Sequence, residues 1–155
     1  MRTIFAALAL IILTLPAVAE MAPRDGWSVT RSSKSYGDLI DAVKTAAKAN
    51  KMGVVTQAGP TGAARNRGVT IPGNRIIGLF NNLYAVEVLG LSTAAMIEAP
   101  IRMYVTENSD GTATLSYKTP SFVFAPYFDE VGQPLRDAAT DLDAAFLTIA
   151  RTASK

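Results

Sequence analysis

The sequence predicts an α+β domain: a mostly antiparallel sheet of four to five strands with two amphipathic helices on one face, in the order strand, helix, strands, helix. Three observations carry this expectation. Residues 36–52 and 134–152 repeat apolar side chains at helical spacing. Residues 101–106 and 112–119 alternate with a period of two. Between those runs stands Asn108-Ser109-Asp110-Gly111, whose residues tolerate positive φ and favour a hairpin turn.

Along the chain, Trp27 and Val29 alternate with Ser28 and Thr30, a first strand over 27–32. Ser35 with Asp38 three residues on has the form of a capping box, and Tyr36, Leu39, Ile40, Val43 and Ala47 make one apolar helical face. Gly53 is the expected stop, with Lys48 and Lys51 near the negative end of the helix dipole. Residues 54–58 read as a second strand, 59–68 as a Gly- and Arg-rich loop or short helical turn, and 75–80 as a third strand. Asn82 is the expected cap of a helix over 83–89 closed by Gly90, followed by an irregular stretch or a further helical turn to Ala99. Pro100 opens the fourth strand, where Ile101, Met103 and Val105 alternate with Arg102, Tyr104 and Thr106. In the fifth, Ala113, Leu115 and Tyr117 face one way and Thr112, Thr114, Ser116 and Lys118 the other, until Pro120 stops it. The last helix carries Leu135, Ala138, Leu142, Phe146 and Ile149 on one stripe.

The 155 residues include no Cys and no His. Disulfides, Cys or His zinc sites, haem attachment, iron–sulfur clusters, Cys nucleophiles and Ser–His–Asp triads are therefore excluded. Any metal site would need oxygen ligands alone, acid–base work would fall to Asp, Glu, Lys or Tyr, and no metal or cofactor is expected. Arg2, the apolar run 4–15 and the small-x-small site Ala17-Val18-Ala19 read as a signal peptide cleaved after Ala19. The run is shorter than the roughly 20 residues of a membrane-spanning helix. The expected organisation is a leader 1–19, a flexible lead-in 20–26 and one domain 27–155, periplasmic or secreted, with no transmembrane segment after cleavage. With 15 Lys+Arg against 13 Asp+Glu and no clustered basic stripe, nucleic acid is not an expected partner.

Several segments in order, Arg75-Ile76-Ile77-Gly78-Leu79-Phe80-Asn81-Asn82, Ala99-Pro100-Ile101-Arg102-Met103-Tyr104-Val105, Asp110-Gly111 and Ser116-Tyr117-Lys118-Thr119-Pro120, resemble the DUF302 family. The resemblance covers roughly residues 27–150. It implies a TATA-binding-protein-like strand-helix-strands-helix topology and a tendency to dimerise, and it implies no activity. The chain departs from the family pattern at Asn81-Asn82, where Asn-Pro is usual, and in the longer Gly/Arg loop.

Four groups of residues are candidates for function. In the 59–68 loop, Arg65 and Arg67 suit a carboxylate or phosphate, although the spacing is not that of a nucleotide P-loop. On the polar side of the central hairpin, Arg102, Tyr104, Ser116 and Lys118 suit a small polar or anionic ligand. A Ser116–Lys118 nucleophile pair is conceivable there, and Glu87, Glu98, Glu107, Asp129 and Glu130 are the acids available for acid–base work. Phe122, Phe124, Tyr127 and Phe128 form an aromatic segment that either covers the sheet or serves as an interface for a homodimer or another partner. The residues favour a non-catalytic binding domain for a small molecule or protein. The alternatives are a metal-independent enzyme using carboxylate or Tyr/Lys groups in the same groove, and a dimeric interaction module built on 121–128.

Overall fold

The structure, a computed structural model, describes residues 21–155; the expected leader and its cleavage point lie outside the described residues. Strand β1 (Trp27–Ser35) passes directly into α1 (Tyr36–Ala49). The Ser35 hydroxyl accepts from the Asp38 amide and donates to the Asp38 carboxylate, so one short side chain satisfies a first-turn donor and fixes the helix entry. α1 stops earlier than Gly53. The Asn50 N–H and side-chain amide turn back onto the last carbonyls, and Lys51 takes the left-handed conformation. Gly53 instead begins β2 (Gly53–Ala58).

The Gly/Arg segment contains a short helix, α2 (Thr61–Asn66), ahead of β3 (Asn74–Phe80). In α3 (Asn82–Leu91) the cap is Asn81 rather than Asn82. Its carboxamide oxygen accepts from the Leu83 and Tyr84 amides while its nitrogen donates to the Lys51 carbonyl. Gly90, the expected stop, lies inside the last turn of α3. A 3-10 turn (Ala95–Glu98) and a cis Ala99–Pro100 bond lead into β4 (Ile101–Glu107), which the expected hairpin joins to β5 (Thr112–Lys118). In that turn Gly111 has positive φ, and Asp110 accepts from the Thr112 hydroxyl at 2.6 Å and its amide at 3.0 Å. Those bonds, with Arg31 beside them, hold the Asp110 carboxyl down at about 2.

The aromatic stretch folds as α4 (Pro120–Phe124), a 3-10 turn (Ala125–Tyr127) and α5 (Phe128–Val131), before α6 (Gln133–Ser154). Pro120 sits at the first position of α4, where its missing N–H costs nothing. Asp143 on α6 accepts from the Ser121 amide at 2.9 Å and from its hydroxyl, tying α4 to the long helix. Burial pushes the Asp143 carboxyl up. Phe124, expected among the interface aromatics, is only 3% exposed and belongs to the core, because α4 lays that side against α6. Tyr127 and Phe128 are half-buried against the same core, with the Arg136 guanidinium 4.4 Å from the Phe128 ring.

The five strands form one antiparallel sheet in the order β1-β5-β4-β3-β2. α1 and α6 pack together across one of its faces. Leu39, Val43, Leu135, Phe146 and Ile149 meet Ile77, Met103, Val105 and Leu115 there with almost no exposure. This is the antiparallel arrangement in which one face is core and the other meets solvent. No helix among the described residues is long and apolar enough to cross a membrane.

Candidate functional site

Residues directly opposite on neighbouring strands share a face, so the register sorts the uncovered face into two rows. One row crosses all five strands as Val29, Ser116, Tyr104, Ile76 and Ala58. The next holds Trp27 opposite Lys118, and Arg102 opposite Gly78, which in turn faces Thr56. Trp27, Ile76, Arg102, Tyr104 and Lys118 from these rows join Glu98, Ile101, Tyr117 and Val123 around a groove of about 360 Å³. That volume falls within the range of small-molecule sites.

Each wall of the groove has a local cause. Gly78 has no room for a side chain, since a Cβ would collide with the Thr56 hydroxyl and press on Pro100. The turn before β4 can therefore settle against the sheet, and Glu98 on that turn reaches the groove. Glu98 Oε1 accepts from the Tyr127 hydroxyl at 2.9 Å, which fixes the carboxylate; that hydrogen bond, which holds the phenol proton, pushes the tyrosine pKa up. At the other end the Lys118 ammonium lies 5.8 Å from the Trp27 ring centroid and 5.9 Å from that of Phe122. The Arg24 guanidinium covers Trp27 at 5.4 Å. Gly26, at φ +72°, leaves the space that the Phe122 ring occupies. Two aromatic faces thus hold the ammonium at the groove's edge by cation–π attraction.

The groove brings two cations, Arg102 and Lys118, and one carboxylate, Glu98, together with aromatic and aliphatic surface. Arg102 and Lys118 are exposed, and neither has an ion-pair partner among the described residues. A guanidinium meets a carboxylate or phosphate with two parallel N–H donors, and a lysine adds a point charge. Trp27, Tyr104, Ile76 and Val123 offer apolar surface to the rest of a ligand. Among the described residues no group of three or more acidic side chains gathers as metal ligands would.

Of the residues expected from sequence, Arg102, Tyr104 and Lys118 come together here. Ser116 lies on the same face between Val29 and Tyr104, but it is fully buried, does not line the groove, and its hydroxyl has no hydrogen-bond partner. The conceivable Ser116–Lys118 nucleophile pair is therefore not assembled. Arg65 and Arg67 are exposed on and after α2, beyond the end of the sheet where Asn74 faces Thr106, and they do not join the groove. Among the expected interface residues, Phe122 is 44% exposed and serves as the second ring over Lys118. Glu98, one of the acids available for acid–base work, also lines the groove, together with Trp27, Ile76 and Val123, which sequence reasoning does not mark as site residues. The alternation around Trp27 is a visible signal, but its pairing with Lys118 joins residues far apart in sequence.

Open-faced sheet, two long helices on the covered side and a groove on the other define the class: a small α+β domain with an open-face groove. The model of the family "Domain of unknown function DUF302" matches residues 27–149, and the chain belongs to that family. The fold is similar to the crystal structure of an uncharacterized conserved DUF302 protein from Bacillus stearothermophilus, with a TM-score of 0.74 at 16% identity. The similarity covers 85% of this chain and 100% of that one. No functionally curated protein matches the chain.

Proposed function

We propose that this protein is an exported binding domain that takes a small anionic ligand with an apolar or planar body into the open-face groove. The observation that carries the reading is the placement of Arg102 and Lys118, without ion-pair partners among the described residues, beside Trp27, Tyr104 and Ile76 in one 360 Å³ groove. The leader read in the sequence supports export, and the cations and rings gathered in the groove support a binding role.

Titration calorimetry tests this with phenyl phosphate, benzoate and neutral benzyl alcohol as probes. The two anions are expected to bind and the alcohol to give no heat. Arg102→Ala is expected to weaken phenyl phosphate by about tenfold or more, the loss of one charge-assisted pair. No heat with either anion, or equal affinity in Arg102→Ala, Tyr104→Ala and the parent, would remove the site.

A further inference from the structure

Opposite charges that share a small groove ordinarily close into an ion pair, because their attraction grows as the separation falls. The open-face groove departs from that rule. Arg102, Lys118 and Glu98 all line it, and among the described residues Glu98 makes no ion pair with either cation. Other groups hold the charges in place. The Tyr127 hydroxyl donates to Glu98 Oε1 at 2.9 Å, while Oε2 makes no hydrogen bond among the described residues. The Lys118 ammonium is drawn toward the Trp27 and Phe122 rings, 5.8 and 5.9 Å from their centroids. Met103 pairs with Tyr117, so Arg102 and Lys118 are the next residues on adjacent strands, and the sheet carries both cations. Glu98 stands on the turn before β4, which Gly78 lets settle against the sheet.

We propose that Glu98 makes the groove selective for a small zwitterion, with an acid group and an ammonium at opposite ends of an apolar or planar body. This rests on the binding role proposed above and names the ligand class for the same site. A plain anion seated on Arg102 and Lys118 shares the groove with a fixed carboxylate of its own sign. A groove of about 360 Å³ is too small for salt to screen that repulsion fully. An ammonium at the far end of the ligand turns the repulsion into a charge-assisted hydrogen bond to the open Oε2. Because the Tyr127 bond already restrains the carboxylate, little side-chain freedom is left to lose on binding. Trp27, Tyr104 and Ile76 supply apolar surface for the body of the ligand. Discrimination needs an element that disfavours the wrong ligand as well as one that favours the right one, and this single carboxylate is both.

Calorimetry at neutral pH with 4-methylbenzoate and 4-(aminomethyl)benzoate tests the selectivity, since the two probes share ring and acid group and differ in the ammonium. The parent is expected to bind the amino probe about tenfold or more tightly than the methyl probe. Glu98→Gln keeps an acceptor for the Tyr127 hydroxyl and removes the charge. It is expected to move the probes in opposite directions, weakening the amino probe about tenfold and tightening the methyl probe about threefold. A Glu98 that only anchored its turn would shift both probes alike or neither. Arg102→Ala acts on the acid group common to both, so it is expected to weaken both by similar factors and leave their ratio unchanged. Equal affinity of the parent for the two probes, or a ratio that Glu98→Gln leaves intact, overturns the selectivity while the binding role stands. A parent that binds neither probe overturns both.

Discussion

Met103 and Tyr104 are neighbours on the central strand and live in different environments. Met103 points into the layer between the sheet and helices α1 and α6 and has no exposure, while Tyr104 lies on the uncovered face and lines the groove. Leu115 and Ser116 on β5 repeat the contrast, with one difference: Ser116 is as buried as Leu115 yet its hydroxyl bonds to nothing. The same two strands thus serve a face shaped by packing and a face shaped by charge and rings. Stability and recognition are therefore separable by substituting alternate residues.

The largest expected effect lies on the covered face. Met103→Ala should cost about 2–5 kcal/mol of unfolding free energy, because its surroundings in a two-layer core close only partly around the cavity. Chemical denaturation measures this, and a loss below about 1 kcal/mol would show a core looser than the burial implies. On the other face, Arg102→Ala should leave stability within about 0.5 kcal/mol while weakening phenyl phosphate by about 10- to 100-fold, read by calorimetry and denaturation on the same preparations. Destabilisation comparable to Met103→Ala would abolish the distinction between the faces.

Ser116→Ala sharpens the contrast in the opposite direction. A buried hydroxyl without a partner is a cost of folding, so its removal should raise stability by about 1 kcal/mol. A drop of similar size would mean that the hydroxyl is bonded in solution. The smallest effect belongs to the hairpin turn. Because folding lowers the Asp110 pKa from 3.8 to about 2, the unfolded chain binds more protons between those values. The stabilisation is therefore complete above that window and is lost as pH falls through it. Asp110→Ala should flatten this part of the acid limb of thermal midpoint against pH; an unchanged slope would place the acid sensitivity elsewhere.

Much of the fold was legible where signals are local. The β4–β5 alternation and the turn between them, the Ser35 cap and the apolar stripe of α6 each involve residues close in sequence, and the structure contains each. The corrections fall where two adjacent residues can do one job. Asn81 and Asn82 can both cap α3, and only the extended backbone at Asn81, with its bond to Lys51, decides between them. Gly53 is a plausible stop for α1, but Lys51 already adopts the left-handed conformation. Phe124 and Phe122 look alike in an aromatic run, and the helical turn of α4 sends one into the core and leaves the other over Gly26.

The site was half legible for a related reason. Arg102, Tyr104 and Lys118 lie on a hairpin whose pairing follows from its turn. Trp27 arrives through a pairing of β1 with β5, and Glu98 through a turn whose position depends on Gly78. Neither placement follows from a local pattern, because each depends on residues distant in sequence. Arg65 and Arg67 share the chemistry of the groove cations without sharing their place in the fold.

The measurement that bears most directly on the central claim is a ¹H–¹⁵N shift map of the protein titrated with phenyl phosphate. The account predicts saturable shifts at the Trp27 indole N–H and at the amides of Arg102, Tyr104 and Lys118, absent in Arg102→Ala. Shifts confined to residues 59–68, or none at any of these positions, would contradict it.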